Sequence, residues 1–274
     1  MMSTTGRESI EAGRAVLEAA ASGASAEQLT ECGEQLLGVT RFLVDQPRLR
    51  RALSDPAREA DDREGLIRQL LTGQVGDTAA HVVVTLVRGR WRRPSELVDG
   101  TEQLAVEALL LAAAKDGSLA NVEDELFRFG RLVDGDAELA SVLGATGTDP
   151  KGRAELTERL LDGKAEPVTV KLAAAACFGL GGRSFHASLA HLVEAAAAAR
   201  DEAVAYVTVA KPLDESGERQ LAAKLSLVYG RPVALKVTVD PAIVGGIRVQ
   251  VGSDLWDGSV SRRLDEARQA LAGR

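Results

Sequence analysis

Residues 234–264 read ALKVTVDPAIVGGIRVQVGSDLWDGSVSRRL. Leu235, Val237 and Val239 alternate with Lys236 and Thr238, and Ile247, Val249 and Val251 alternate with Arg248 and Gln250. Successive side chains of a strand point to opposite faces, so this period of two predicts two half-buried strands. Asp240 and Pro241 suit the connection between them, because proline fixes φ and offers no donor to a ladder. Gly245 and Gly246 permit a positive φ or a bulge just before the second strand. Asp257 and Gly258 mark another turn, and Ser259 is placed to cap a helix with Val260, Leu264, Ala267 and Leu271 on one face.

Upstream of this stretch, Val204, Tyr206 and Thr208 alternate with Ala205, Val207 and Val209, which predicts a first strand closed by Lys211 and Pro212. Asp214 is placed to cap a helix carrying Leu221, Leu225 and Val228 on one face, and Gly230 with Pro232 ends it. The expected order for residues 202–274 is strand, helix, strand, strand, short edge strand, helix.

The N-terminal part reads as helices. Residues 6–23 are rich in alanine and stop at glycine, and residues 26–44 set Leu29, Cys32, Leu36, Leu37, Val39, Phe42 and Leu43 at three- and four-residue steps against Glu27, Glu31, Glu34 and Gln35. Pro47, Asp55-Pro56 and Gly73 punctuate shorter helices at 48–53, 62–72 and 77–88, and another begins near Ser95. From residue 102 the pattern returns. Leu43-Val44-Asp45 recurs as Leu132-Val133-Asp134 (132 − 43 = 89), Leu70-Leu71-Thr72-Gly73 as Leu160-Leu161-Asp162-Gly163 (160 − 70 = 90), and Gly89-Arg90 as Gly182-Arg183 (182 − 89 = 93). Alanine runs open both halves, at 19–21 and 112–114. The Asp55-Pro56 and Asp149-Pro150 pairs lie 149 − 55 = 94 apart and require an insertion near residues 145–148. The reading is a mainly α protein: two consecutive antiparallel helical bundles, 1–101 and 102–201, the first a duplicate of the second, followed by a small α+β domain with a mixed sheet, 202–274.

Aromatics are only 3% of the 274 residues, so the core must be built from small aliphatic side chains that favour close helix packing. A formal charge of −7 argues against wholesale binding to nucleic acid or anionic lipid, which favour a cationic face. Residues 1–11 have no apolar core of the kind a secretory signal needs, and no run approaches the roughly 18 to 20 apolar residues that span a bilayer. Cys32 and Cys177 give no metal spacing and read as buried free thiols of a cytoplasmic protein.

Candidate chemistry is sparse. His186 and His191, five apart, diverge by about 140° on a helix and cannot stack as paired ligands. His81 stands alone among Ala79, Ala80 and Val82. Gly179, Gly181 and Gly182 with Arg183 have the composition of a phosphate cradle, yet no strand precedes them and no Gly-Lys-Ser/Thr follows, so an interhelical turn is the better reading. Arg88, Arg90, Arg92 and Arg93 surround Trp91, a combination found at nucleic-acid sites. The competing reading has arginines neutralising a helix end, Trp91 stapling the bundle, and Asp61, Asp62 and Glu64 lying opposite. No Ser-His-Asp, Cys-His or paired-carboxylate arrangement stands out, so no catalytic residue, metal or cofactor is expected.

Val239-Asp240, Ile243, Gly245-Gly246-Ile247, Val249, Gly252, Asp257-Gly258-Ser259 and Leu264 together resemble the C-terminal signature of the delta subunit family of bacterial F-type ATP synthases, whose mitochondrial counterpart is the oligomycin-sensitivity-conferring protein. Gly182-Arg183 fits the Gly-Arg that recurs after the fifth helix of that family's bundle. The resemblance implies a six-helix bundle joined to a smaller α/β region. Residues 102–274 account for an ordinary member, so residues 1–101 depart from the usual pattern as an extra bundle, an arrangement expected of actinobacterial forms. It further implies a non-catalytic stator that ties the F1 head to the membrane sector. One bundle would grip N-terminal helices of the alpha subunit and the C-terminal region would hold b-type stalk subunits. No nucleic acid is implied, and membrane contact comes only through the complex, at the cytoplasmic face. The rival reading is a helical adaptor unrelated to the synthase, associated with nucleic acid through residues 88–93; an enzyme is the weakest option.

Overall fold

A computed structural model describes residues 3–145, 147–200, 203–229, 233–241, 243, 245–251 and 254–258. Helix α1 (Thr4–Gly23) starts earlier than glycine and alanine content suggested, because the Ser3 hydroxyl accepts from the Gly6 N–H at 3.1 Å. Ser25 and Gln28 form a reciprocal capping box at the start of α2 (Ala26–Asp45). Pro47 opens α3 (Pro47–Ser54) rather than closing α2, its missing N–H being one the first turn cannot use. Then come α4 (Ala60–Leu71), α5 (Asp77–Arg88), α6 (Pro94–Asp116), α7 (Leu119–Gly135), α8 (Ala137–Gly144), α9 (Pro150–Leu161), α10 (Pro167–Ala176), a 3-10 turn (Leu180–Gly182) and α11 (Phe185–Ala199).

Three successive helices of each half repeat with a fixed step. The starts of α3, α4 and α5 return in α8, α9 and α10 at 137 − 47, 150 − 60 and 167 − 77, each 90 residues on. Gly73 (φ 72°) and Gly163 (φ 65°), also 90 apart, occupy the same left-handed place beyond α4 and α9. Polar contacts recur in register. Gln35 accepts from the Gly76 N–H at 2.8 Å, and Glu125, 90 residues on, accepts from the Glu166 N–H at 2.9 Å. Arg63 donates to the Leu53 carbonyl at 3.5 Å, and Arg153 to the Leu143 carbonyl at 2.7 Å, with 153 − 63 and 143 − 53 both 90. This step corrects the 89-residue Leu-Val-Asp match: Leu43 and Val133 are both fully buried, whereas Leu132 is 58% exposed. Burial on the helix face, not residue identity, sets the correspondence.

Helix α6 runs unbroken through residues 101 and 102. It packs against α1, α2 and α3 and also against α7, α10 and the 3-10 turn. Leu97, Leu104, Ala105, Val106, Ala108, Leu109 and Leu110 are buried over most of its circumference, and Ser95, Asp99, Gln103 and Glu107 leave it only a narrow stripe toward solvent. A Cβ on Gly33 would lie 2.7 Å from the Leu109 side chain and 3.1 Å from the Ala105 carbonyl, so glycine lets α2 approach α6 closely.

Residues 1–192 form one compact unit and 193–274 a second. In the second, β1 (Ala203–Val209), α12 (Glu215–Tyr229), β2 (Val233–Val239), β3 (Ile247–Val251) and β4 (Asp254–Asp257) build a sheet in the order β2-β1-β3-β4. Asp214 caps α12, accepting from the Gly217 N–H at 2.7 Å. Strand β1 pairs with β2 in parallel (Val207 opposite Val237) and with β3 antiparallel (Val207 opposite Val249), while β3 pairs antiparallel with β4 (Val249 opposite Trp256). Strands β2 and β3, neighbours in sequence, are thus separated by β1. Ala205, Val207, Val209, Val233, Val249 and Val251 form the core, and Leu221, Leu225 and Tyr229 of α12 pack on it. Val228, expected on that face, is 67% exposed. The stripe runs 221, 225, 229 in steps of four, and Tyr229 takes the place proposed for Val228. Gly230, Pro232, Gly252, Ser259 and the helix expected at Val260, Leu264, Ala267 and Leu271 lie outside the described residues.

Candidate functional site

The signature segment closes the sheet. The Asp240 N–H donates to the Val209 carbonyl at 2.9 Å, so the connection from β2 is pinned to the end of β1 as it crosses toward β3. Ile243, its side chain buried, donates its N–H to the Asp240 carbonyl at 3.2 Å, and the Gly245 N–H returns to the Ile243 carbonyl at 2.7 Å. Gly245 and Gly246 take φ of 98° and 89°, a region that a Cβ makes costly. Ile247 then opens β3 and its carbonyl accepts from the Gly258 N–H at 2.9 Å; a Cβ on Gly258 would approach that oxygen to 3.2 Å. Arg248 reaches across to Asp257 at 3.2 Å. These residues place backbone and offer no acid, base or nucleophile aimed at a common point.

The Gly182-Arg183 turn lies beside α6. Gly179, Gly181 and Gly182 have φ of 76°, 58° and 74°, and the Arg183 guanidinium donates to the Leu180 carbonyl at 3.0 Å. The Gly181 N–H donates to the Glu102 carboxylate. A loop whose N–H and guanidinium are turned on a carboxylate and a carbonyl is an interhelical turn, not a phosphate cradle. Burial pushes the Glu102 carboxyl up to about 7, against the lowering effect of the Gly181 N–H, with Asp99 adding to the rise and Arg183 opposing it. Burial also raises Asp99 and lowers His191. Nothing in the sequence distinguished Glu102 or Asp99 from surface acids.

The arginine cluster is committed to structure in part, through the side chains of Arg88 and Arg93 and the backbone of Arg90 and Arg92. Arg88 pairs with Asp61 at 2.7 Å and with Glu64. Trp91 is buried and donates its indole N–H to the Leu86 carbonyl at 2.8 Å. Buried Glu96 accepts from the Arg92 N–H at 3.1 Å and from the Ser3 N–H and hydroxyl at 3.2 and 2.8 Å, with Arg93 3.8 Å away. Arg63, which the sequence reading passed over, is buried beneath the end of α5, where its guanidinium donates to the carbonyls of Val87, Arg88 and Gly89. It does for the last turn of α5 what the cluster itself was expected to do.

Among the described residues no group of three or more His, Cys, Asp and Glu is disposed to hold a metal, and no helix is long and apolar enough to cross a membrane. Cys32 and Cys177 are buried free thiols. His186 faces Asp134 at 3.2 Å, and His81 is exposed. Exposed large apolar side chains occur in both units, at Phe42, Val44, Leu70, Leu132 and Val142 in the first and at Leu227, Val228, Val239, Leu255 and Trp256 in the second.

The family model described as "ATP synthase delta (OSCP) subunit" matches residues 106–271. A protein of Salinispora arenicola named "ATP synthase subunit delta" is 51% identical over 274 residues, covering all of both chains. Proteins of the same name from Streptomyces griseus and Frankia casuarinae are 42% identical over 272 residues and 40% over 278, covering 99% and 98% of this chain and 100% and 99% of theirs. The relatives therefore share residues 1–105, which the family model leaves out. A chain of the Toxoplasma gondii mitochondrial ATP synthase hexamer is a remote likeness, with a TM-score of 0.36 and 20% identity over 62% of this chain and 96% of that one. With its whole length matched by these relatives and its signature loop closing the C-terminal sheet, the chain belongs to the ATP synthase delta (OSCP) subunit family.

Proposed function

We propose that this chain is a non-catalytic stator of an F-type ATP synthase, a clamp between the catalytic head and the peripheral stalk on the cytoplasmic face of the membrane. The full-length identity with delta subunits carries the reading. A stator supplies binding free energy and stiffness. Without it, the turning shaft would drag the head round and proton flow would be dissipated. The helical unit holds N-terminal helices of the alpha subunit, and the second unit holds b-type stalk subunits. Exposed Leu227 and Val228, adjacent on α12, and exposed Trp256, whose indole N–H donates to the Tyr229 hydroxyl at the end of α12 at 3.3 Å, support the latter assignment, since apolar side chains left at a surface mark a place where another chain docks. Amphipathic partner helices with anchors at i, i+3, i+4 and i+7 suit both ends.

Residues 1–101 are proposed as a duplicate of the bundle at 102–201. The 90-residue step of helix starts, left-handed glycines and carbonyl-seeking arginines supports this division, with α6 lent to both copies. The test is capture of the tagged full-length chain from detergent-solubilised membranes, followed by mass spectrometry. Alpha, beta and b-type subunits are expected in the eluate, and their absence overturns the stator reading. The rival adaptor reading predicts nucleic acid instead, released steeply by salt.

A further inference from the structure

Helix α2 has two unlike seams. Toward α6 it is dry: Gly33 sits against Leu109, and Leu29, Leu36 and Leu43 are fully or almost fully buried. Toward α9 and α10 it presents Glu34, Leu37 and Arg41, and the two sides enclose a cleft of about 330 Å³. Glu34 forms an ion pair with Lys171, and the Arg41 guanidinium stands 4.9 Å from the centre of the Phe178 ring. Lys151, Glu155 and Glu158 of α9 complete the charged lining. An ion pair with both partners partly exposed is weak and screened by salt, and walls separated by a cleft lose the dispersion contacts that a packed interface would have. The first and second helical repeats are therefore joined firmly through α6 and loosely through this seam.

We propose that the seam between α2 and α9–α10 is a reversible, salt-sensitive latch between the two helical repeats, whose release lets α9 and α10 open their own backbone hydrogen bonds as a local unit, while α6 holds, before the chain unfolds. Leu37, Ala154, Ala174 and Ala175 floor the cleft and are buried, but its polar contacts are exposed ones, and a seam tied by exposed ion pairs opens more readily than one tied by packed apolar side chains. Given the stator reading, this is where the helical unit yields under torque; opening and closing are properties of the isolated chain.

Hydrogen exchange read by mass spectrometry on the full-length protein tests it. Glu34→Lys should raise amide exchange in α9 and α10 by roughly three- to fivefold, the scale set by losing one partly exposed ion pair. It should leave α4 and α5, their counterparts in the first repeat, unchanged. The exchanged pair Glu34→Lys with Lys171→Glu should restore slow exchange, and high salt should speed exchange in α9 and α10 of the unaltered chain. Exchange in α9 and α10 indifferent to charge reversal and to salt would overturn the proposal. So would an equal rise in α4 and α5, which would mean general destabilisation. Loss of the stator reading would appear separately, as missing synthase subunits in the capture experiment.

Discussion

At corresponding places in the two helical repeats, Arg63 donates to the carbonyls of Leu53, Val87, Arg88 and Gly89, where Arg153 donates to that of Leu143. Ser9 of α1 accepts the Arg90 N–H at 3.1 Å beyond α5, and Glu102 of α6 accepts that of Gly181 beyond α10; with acceptors 102 − 9 = 93 apart and donors 181 − 90 = 91, the contacts are analogous without sharing the 90-residue register. One frame thus carries two chemistries. The frame survives because its polar contacts end on backbone, which every side-chain substitution leaves in place. The strength and the titration of each contact depend on which side chain the repeat supplies.

The largest effect expected from breaking this correspondence is at the arginines. Arg63→Ala strips a buried cation from several carbonyls at the end of α5 and should cost about 3 to 4 kcal/mol, while Arg153→Ala should cost about 1 to 2 kcal/mol. Urea denaturation of both variants reads the difference. Equal losses would show that the additional carbonyl contacts of Arg63 contribute nothing.

Next in size is the approach of α2 to α6. Gly33→Val places a branched side chain where even a Cβ would meet Leu109 at 2.7 Å, and α2 must shift. Overpacking of this kind should destabilise the helical unit by about 1 to 3 kcal/mol, seen as a lower denaturation midpoint. An unchanged midpoint would mean that the seam toward α6 is as yielding as the one toward α10.

How much of this could be read from the chain itself follows the range of each interaction. Prolines 47, 94, 150 and 167 open helices through a local effect, of which only Pro47 was read as a boundary, and the positive φ of Gly245 and Gly246, which follows from the missing Cβ, was legible. The insertion of β1 between β2 and β3 was not, because alternation marks a strand without naming its neighbour. The sharing of α6 was hidden too. A helix whose buried face covers most of its circumference shows no break in pattern at which one repeat ends and the next begins. Arg63 was invisible among 33 lysines and arginines, since only the fold brings the end of α5 over it. The signature residues were found by pattern, but that Asp240 pins the loop to β1 depends on a strand some thirty residues upstream, as 240 − 209 = 31 indicates.

A smaller effect, with a sharper signature, separates the repeats by pH. Glu102 is raised from 4.5 to about 7, mainly by burial, so the folded chain holds its proton more tightly than the unfolded chain. Its contribution to stability is fully present below pH 4.5, is lost as pH rises toward about 7, and is constant above that. After allowance for partial exposure the change should be about 1 to 2 kcal/mol. Asp99, also raised, acts in the same sense. His191, lowered by burial and by Arg183, acts in the opposite sense, favouring the fold at higher pH. The difference between the unaltered chain and Glu102→Gln isolates Glu102 from both. Denaturation midpoints taken from pH 4.5 to 8 should converge or cross for Glu102→Gln as the carboxylate ionises, and Ser9→Ala should show a loss independent of pH. A pH-independent offset for Glu102→Gln would place its carboxyl in ordinary solvent and remove the distinction between the two turns. The Ser9 hydroxyl holds the turn beyond α5 and the Glu102 carboxyl the turn beyond α10, and only the second has a proton to lose near neutrality.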